Sequence, residues 1–161
     1  MTAALSISVI IPTYNRAHLI ERAIRSALVN LQPGDEIIIV DDASTDGTAT
    51  VVGRYGDPVR MVRSEQRGAG GARNVGLEHA TRDLVAFLDS DDEWYPDRLL
   101  LQREFLRRRT DVLFAFTNFR SREVGTPDVP CFLKYWHKDD RSWDEILAPG
   151  VPYSTIAPLP E

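Results

Sequence analysis

Cysteine is nearly absent from this sequence: Cys131 stands alone, so no internal disulfide can form, and a reducing compartment is the expectation that follows. Zinc-type spacing is missing too, because His18, His79 and His137 are scattered and do not form a ligand set. Positive charge is not in excess. Nineteen Lys and Arg stand against 24 Asp and Glu, a net charge of -5, which excludes a general affinity for nucleic acid backbones. No apolar run approaches the roughly 20 residues that cross a bilayer. The amino terminus, MTAALSISVIIPTYN, lacks a basic region and is broken by Pro12, so it reads as a strand and not as a signal peptide. Internal repeats and low-complexity segments are absent. What is present is ordinary for a soluble globular chain, 43% hydrophobic and 27% charged, and 161 residues suit one domain with a sizeable core.

Strand and helix patterns alternate along the chain. Ser6–Pro12 (SISVIIP) and Glu36–Val40 (EIIIV) are continuous apolar, mostly β-branched runs, the pattern of strands buried on both faces. After the first, Asn15 can cap a helix whose Ile20, Ala23, Ile24, Ala27 and Leu28 share one stripe. After the second come Asp41-Asp42, a turn at Asp46-Gly47 and a short helix. Val59–Val62 reads as a third strand, Gly70–Ala80 as a helix after a glycine-rich turn, and Leu84–Leu88 as a fourth strand. Pro96 suits the first residue of a helix reaching about Arg108, and Val112–Phe116 reads as a fifth strand. This alternation implies a three-layer α/β/α architecture around a mainly parallel, Rossmann-like sheet. Beyond about Phe119 the character changes: Pro127, Pro130, Pro149, Pro152, Pro158 and Pro160 fall there, with Trp136 and Trp143. Residues 1–119 are therefore expected to form the core. Residues 120–161 are expected to form an irregular extension, with a short helix near Trp143–Leu147 and an extended piece from about Val151.

Ligands of open parallel sheets bind at the carboxyl ends of the strands. Polar residues gather there: Thr13 to Arg16, Asp41-Asp42, and Asp89 to Asp92. Carboxylates this crowded repel one another, and a divalent cation relieves the repulsion. Hard oxygen donors suit Mg²⁺ or Mn²⁺, and in an extended Asp89-Ser90-Asp91 the two aspartates point the same way. The structural alternative is a solvated loop that caps the next helix. Asp41-Asp42 can contact a base or ribose, or can simply satisfy a turn. RGAGGARNVG, Arg67 to Gly76, resembles a phosphate-binding loop, but no Gly-Lys-Ser/Thr follows and the third glycine of the dinucleotide fingerprint is out of register. Arg67 and Arg73 are expected to face anionic oxygens or the acidic clusters; the alternative is close glycine packing with surface arginines. No serine or cysteine stands in a nucleophile context, and Cys131 and His79 read as structural.

SVIIPTYNRAHLIERAIRSAL, EIIIVDDASTDGT, GGARNVGLEHA and LVAFLDSDDEWYPDRL, in that order over roughly residues 6–119, resemble the family 2 glycosyltransferases with the GT-A fold. The resemblance implies that Pro12, Thr13, Tyr14 and Asn15, with Arg16 adjacent, contact a nucleotide. It implies that Asp42 contacts the base, uracil in many members, and that Arg73 lies near the donor pocket. Asp89-Ser90-Asp91 corresponds to the DXD motif that holds metal and sugar nucleotide, with Asp91 as a metal ligand and Asp89 on the ribose or sugar, or on the metal through water. The implied function is inverting, metal-assisted sugar transfer from a UDP-sugar donor to a sugar, lipid or protein acceptor, with Mn²⁺ or Mg²⁺ as cofactor. The implied place is the cytoplasm, with peripheral contact at the inner face of a membrane left open.

The resemblance also implies a general base from a later acidic pair. Asp139, Asp140, Asp144 and Glu145 lack that context, and the chain stops at Glu161. The expectation is a truncated chain or a short variant in which nucleotide binding outlasts transfer. Trp136, Trp143 and Tyr153 can stack on a sugar or fill a core. A non-catalytic nucleotide-sugar-binding fragment is one competing reading. A receiver-type phosphoacceptor domain is another, although a complete strand and helix precede EIIIVDD and the lysine a receiver needs is missing near Phe116–Ser121. A Rossmann dehydrogenase is a third.

Overall fold

A computed structural model of the chain describes residues 5–115, Thr117, and the short strands Arg120–Ser121, Val129–Pro130 and Ile156–Pro158. Helices and strands alternate as β1 (Ile7–Thr13), α1 (Ile20–Leu28), β2 (Glu36–Asp41), α2 (Thr48–Val52), β3 (Val59–Arg63), α3 (Gly68–His79), β4 (Leu84–Phe87) and α4 (Arg98–Arg108). Three short strands follow, β5 (Arg120–Ser121), β6 (Val129–Pro130) and β7 (Ile156–Pro158). The main sheet has the order β3-β2-β1-β4-β7, with β3, β2, β1 and β4 parallel and β7 antiparallel on β4. β5 and β6 form a separate antiparallel pair. Among the described residues no helix is long and apolar enough to cross a membrane.

Every residue of β1 and β2 is buried, because helices cover both faces. On one face Ile7, Val9, Ile11, Ile37 and Ile39 pack with Ile20, Ala23 and Ile24 of α1, Val52 of α2, and Leu99 and Leu106 of α4. On the other, Ile10, Ile38, Val40 and Val85 pack with Ala72 and Val75 of α3. The period-two alternation of the strands thus feeds two cores, which makes the three layers. Gly76 sets the close approach of α3: a Cβ there would lie 2.4 Å from Ile10 Cγ2. Gly76 is therefore a packing device, whereas Gly68 and Gly70 have open space beside them; the helix starts at Gly68 rather than Gly70.

Strand ends carry polar groups that anchor backbone. At the amino ends, Asp35 accepts from the backbone N–H of Ile7 at 2.9 Å and of Gln32 at 2.8 Å. It also meets Arg103 of α4, with Nη2 2.7 Å from Oδ2. Nearby, Glu36 accepts from Ser8 Oγ at 2.8 Å, Thr81 Oγ1 at 2.9 Å and Arg60 Nε at 3.1 Å. Burial pushes the Glu36 carboxyl up, but the hydrogen bonds from Ser8, Thr81 and Arg60 outweigh it and leave the group below its usual value.

Several boundaries differ from the sequence reading. Asn15 does not cap α1; the helix opens at Ile20 after Leu19, without a side-chain cap, and Asn15 sits at φ 51°. Pro96 precedes α4 by two positions, because Asp97 at φ 65° interrupts the helical path. Asn30, two residues beyond α1, supplies the missing acceptor there, with Oδ1 3.4 Å from Leu99 N. Val112–Ala115 holds only an isolated bridge at Ala115, and Phe116 lies outside the described residues. The fifth position in the sheet is taken instead by β7, from the carboxyl-terminal part of the chain. The helix expected at Trp143–Leu147 lies outside the described residues.

Two outcomes follow. Gly76→Ala forces α3 off a buried β-branched side chain, and urea denaturation is expected to show a loss of about 1–3 kcal/mol; an unchanged midpoint would contradict the packing. Glu36 has a depressed carboxyl, so its contribution is fully present above its ordinary 4.5 and drains as pH falls below it. Stability curves against pH should therefore drop on the acid side of that value, and Glu36→Gln should flatten the drop.

Candidate functional site

The loops that leave β1 and β2 lie side by side and have no ladder partners for their N–H groups, so side chains provide them. Asn15 N donates to Ser44 Oγ at 2.9 Å, Arg16 N to Thr48 Oγ1 at 3.0 Å, and Ala17 N to Asp46 Oδ2 at 3.0 Å. In return, Thr45 N donates to Asn15 Oδ1 at 2.8 Å. Asn15 is thus a loop clasp. The Asp46 carboxyl is held below its usual range, chiefly by the Thr48 hydroxyl and then by Ala17 N–H.

These loops, the head of α3 and the turn after β4 enclose a cleft of about 400 Å³. Of the residues singled out by sequence, Pro12, Thr13, Tyr14, Arg16, Asp42, Arg73, Asp89, Ser90 and Asp91 line it; Asn15 does not. Gln66, Gly68, Ala69 and Ala72 also line it and were missed. Gly68, Ala69 and Ala72 belong to the Arg67–Gly76 run that resembles a phosphate-binding loop, whereas Gln66 carried no signal beyond its place after β3, at a third strand end of the parallel sheet.

Asp42 is 4% exposed. Its Oδ1 accepts from Ser64 Oγ and, at 2.8 Å, from Arg67 N, and its Oδ2 accepts from Gly68 N at 2.8 Å. Burial pushes this carboxyl up, but those three donors more than offset it and hold the group below its usual value. Asp42 therefore anchors the first turn of α3 from the end of β2. Oδ2 accepts a single bond, which leaves acceptor capacity on a residue that lines the cleft. Asp41 faces the opposite side of the sheet: it is fully buried, and its Oδ1 accepts from Ser44 N at 3.0 Å.

Asp89 and Asp91 reach the same cleft, but not by strand alternation. β4 ends at Phe87, and Asp89 to Asp92 form a turn closed by Asp92 N donating to Asp89 O at 3.0 Å. Arg73 Nη2 donates to Asp89 Oδ1, and Arg16 Nη2 lies 3.7 Å from Asp91 Oδ2. Partial burial, then the charges of Asp89 and Asp91, push the Asp92 carboxyl up against the pull of Arg98. Among the described residues no group of three or more His, Cys, Asp or Glu converges on one point. A cation held here would take at most the carboxylates of Asp89 and Asp91, with phosphate and water completing its shell, which is the donor set that suits Mg²⁺ and Mn²⁺. His79 is structural: it ends α3, with Nδ1 2.8 Å from Val75 O. Cys131, Trp136, His137, Asp139, Asp140, Trp143, Asp144, Glu145 and Tyr153 lie outside the described residues.

Comparison with known proteins adds an independent line. A family model described as Glycosyl transferase family 2 matches residues 8–154. Over 126 residues the chain is 43% identical to the putative teichuronic acid biosynthesis glycosyltransferase TuaG of Bacillus subtilis (strain 168), covering 75% of this chain and 50% of that protein. Its structure is similar to that of S. aureus TarS 1-349 in complex with UDP-GlcNAc, with a TM-score of 0.65 and 30% identity over 78% of this chain and 37% of that one. It is also similar to the mannosyltransferase PcManGT from Pyrobaculum calidifontis in complex with GDP-Man and Mn²⁺, with a TM-score of 0.62 and 29% identity over 74% of this chain and 37% of that one. The chain spans half or less of the length of these relatives.

Removing the Asp42 carboxyl leaves three donors without their acceptor. Asp42→Ala is expected to cost about 2 kcal/mol in urea denaturation and to speed hydrogen exchange at the Arg67 and Gly68 amides. Unchanged protection of those two amides would show that Asp42 does not anchor the helix.

Proposed function

Because the chain belongs to glycosyl transferase family 2, we propose that its cleft binds a nucleotide-diphosphate sugar, with UDP as the nucleotide, and serves an inverting transfer to a sugar, lipid or protein acceptor. The observation that carries this reading is convergence: the ends of β1, β2 and β4 and the head of α3 bring Tyr14, Asp42, Arg73, Asp89 and Asp91 to one cleft. Membership of the family sets aside the receiver and dehydrogenase readings. It does not separate an enzyme from a fragment that only binds the donor.

The roles follow from chemistry and position. Tyr14, 44% exposed at the tip of β1, offers a ring face to the base, with Pro12 and Thr13 flooring the same end. Asp42 offers its remaining acceptor site to a base N–H or ribose hydroxyl. Arg16 and Arg73 supply guanidinium donors for phosphate oxygens. Asp91 is the carboxylate for a divalent cation, and Asp89 takes the ribose or sugar, or the cation through water. Ser90, 7% exposed, lies between them and lines the same cleft. When bound, Mn²⁺ or Mg²⁺ supplies Lewis-acid stabilisation of the diphosphate as it leaves. The chain's own part is to orient the donor so that its anomeric carbon faces an incoming hydroxyl. The cation assignment is supported by the oxygen-only donor set of Asp89 and Asp91 at the cleft.

Calorimetric titration of UDP tests the reading. Affinity should fall about tenfold or more when Mn²⁺ is withheld or when Asp91 is replaced in Asp91→Ala. Equal affinity in all three cases would refute it. Release of UDP from a UDP-sugar in the presence of candidate acceptors then separates a transferase from a donor-binding fragment.

A further inference from the structure

Four charged side chains meet across the cleft as two opposed pairs. Arg73, one turn into α3, donates through Nη2 to Asp89. Arg16, in the loop after β1, holds its Nη2 3.7 Å from Asp91 Oδ2. Both pairs are open to solvent, with side chains 43% and 52% exposed for Arg16 and Asp91, and 32% and 49% for Arg73 and Asp89. The backbone of Arg16 is nonetheless fixed. Its N–H donates to Thr48 Oγ1 at 3.0 Å, and its carbonyl accepts from Leu19 N and Ile20 N, both at 2.9 Å. A pinned backbone thus carries a guanidinium whose one carboxylate partner among the described residues is Asp91.

The guanidiniums of Arg16 and Arg73 balance the charges of Asp91 and Asp89, with the Asp92 carboxyl beside them. A dication arriving alone would have to take Asp89 and Asp91 away from their arginines and sit beside two positive charges. A diphosphate arriving alone would meet two carboxylates. Arriving together they add little net charge: the guanidiniums turn to phosphate oxygens as the carboxylates turn to the cation. We infer that Arg16 and Arg73 are internal counter-cations, which occupy the Asp-Ser-Asp carboxylates until a diphosphate withdraws them. Cation and diphosphate are then taken up cooperatively, and Arg16 opposes the cation when no diphosphate is bound. This rests on the donor-site reading given under Proposed function and assigns it a linkage between its two ligands.

The test is Mn²⁺ titration, followed by the electron paramagnetic resonance signal of the free ion, with and without UDP. It compares the wild-type chain with Arg16→Gln and Arg16→Lys. Arg16→Gln should bind Mn²⁺ alone about threefold tighter than wild type or more, yet bind UDP with Mn²⁺ more weakly. Arg16→Lys keeps the charge and should return Mn²⁺ affinity toward wild type. Arg73→Gln reads the same exchange at Asp89 with an independent variant. If both glutamine variants bind Mn²⁺ alone no tighter than wild type, while wild type takes up UDP with Mn²⁺, the counter-cation role is refuted and the donor site stands. If wild type takes up no UDP with Mn²⁺, the donor-site reading fails and this inference falls with it.

Discussion

The structure depends on how a sheet buried on both faces disposes of the polar groups at its strand ends. Within β1 and β2 the ladder satisfies the backbone, and the side chains can be almost wholly apolar. Where the strands stop, N–H groups lose their partners, and acceptor side chains take over. At the carboxyl ends these are Asn15, Asp41, Asp42, Ser44, Asp46 and Thr48. At the amino ends they are Asp35, Glu36 and Asp83, the last accepting from Ser6 N at 2.7 Å. The same requirement, met at both rims, yields a stabilising rim on one side and a cleft-lining rim on the other.

What separates the two rims is where the charges end up. At the amino rim, Asp35 and Glu36 are closed off by arginine or hydroxyl donors: Asp35 is buried with Arg103, and Glu36 is 6% exposed. Breaking such a buried pair is costly because it strands a charge away from water. At the carboxyl rim, Asp89 and Asp91 are half-exposed, and their pairs with Arg73 and Arg16 stand open to solvent. Exposed pairs contribute little stability and exchange partners at little cost. Buried and solvent-open ion pairs in this way lie at opposite ends of the same strands.

Much of the cleft's lining was legible in advance. The DXD-like run, the Asp41-Asp42 pair and the Pro12–Arg16 stretch all stand at strand ends, and a parallel sheet brings such ends together. The errors are local and share one cause. Asn15 looked like a helix cap and proved to be a clasp on a loop 30 residues away. Asp89 and Asp91 looked like alternate residues of a strand and proved to be corners of a turn. Pro96 looked like the first helical residue and is separated from α4 by Asp97 in a left-handed conformation. In each case a short polar side chain could satisfy several neighbours, and sequence distance did not reveal which neighbour it would meet.

The sequence by itself determined the layers: uninterrupted apolar runs and period-3.6 stripes leave few ways to bury that surface other than parallel strands between helices. It also determined that the chain carries more carboxylates than cations, and where along the chain they cluster. Only the tertiary structure decided which carboxylates are consumed in holding the fold and which remain open to a ligand. That decision turns on the approach of groups far apart in sequence, such as Asp42 to the head of α3, Arg16 to Asp91 and Arg73 to Asp89. It is a matter of three-dimensional distance and solvent access, because a charge's energy depends on both, and neither is encoded in residue spacing.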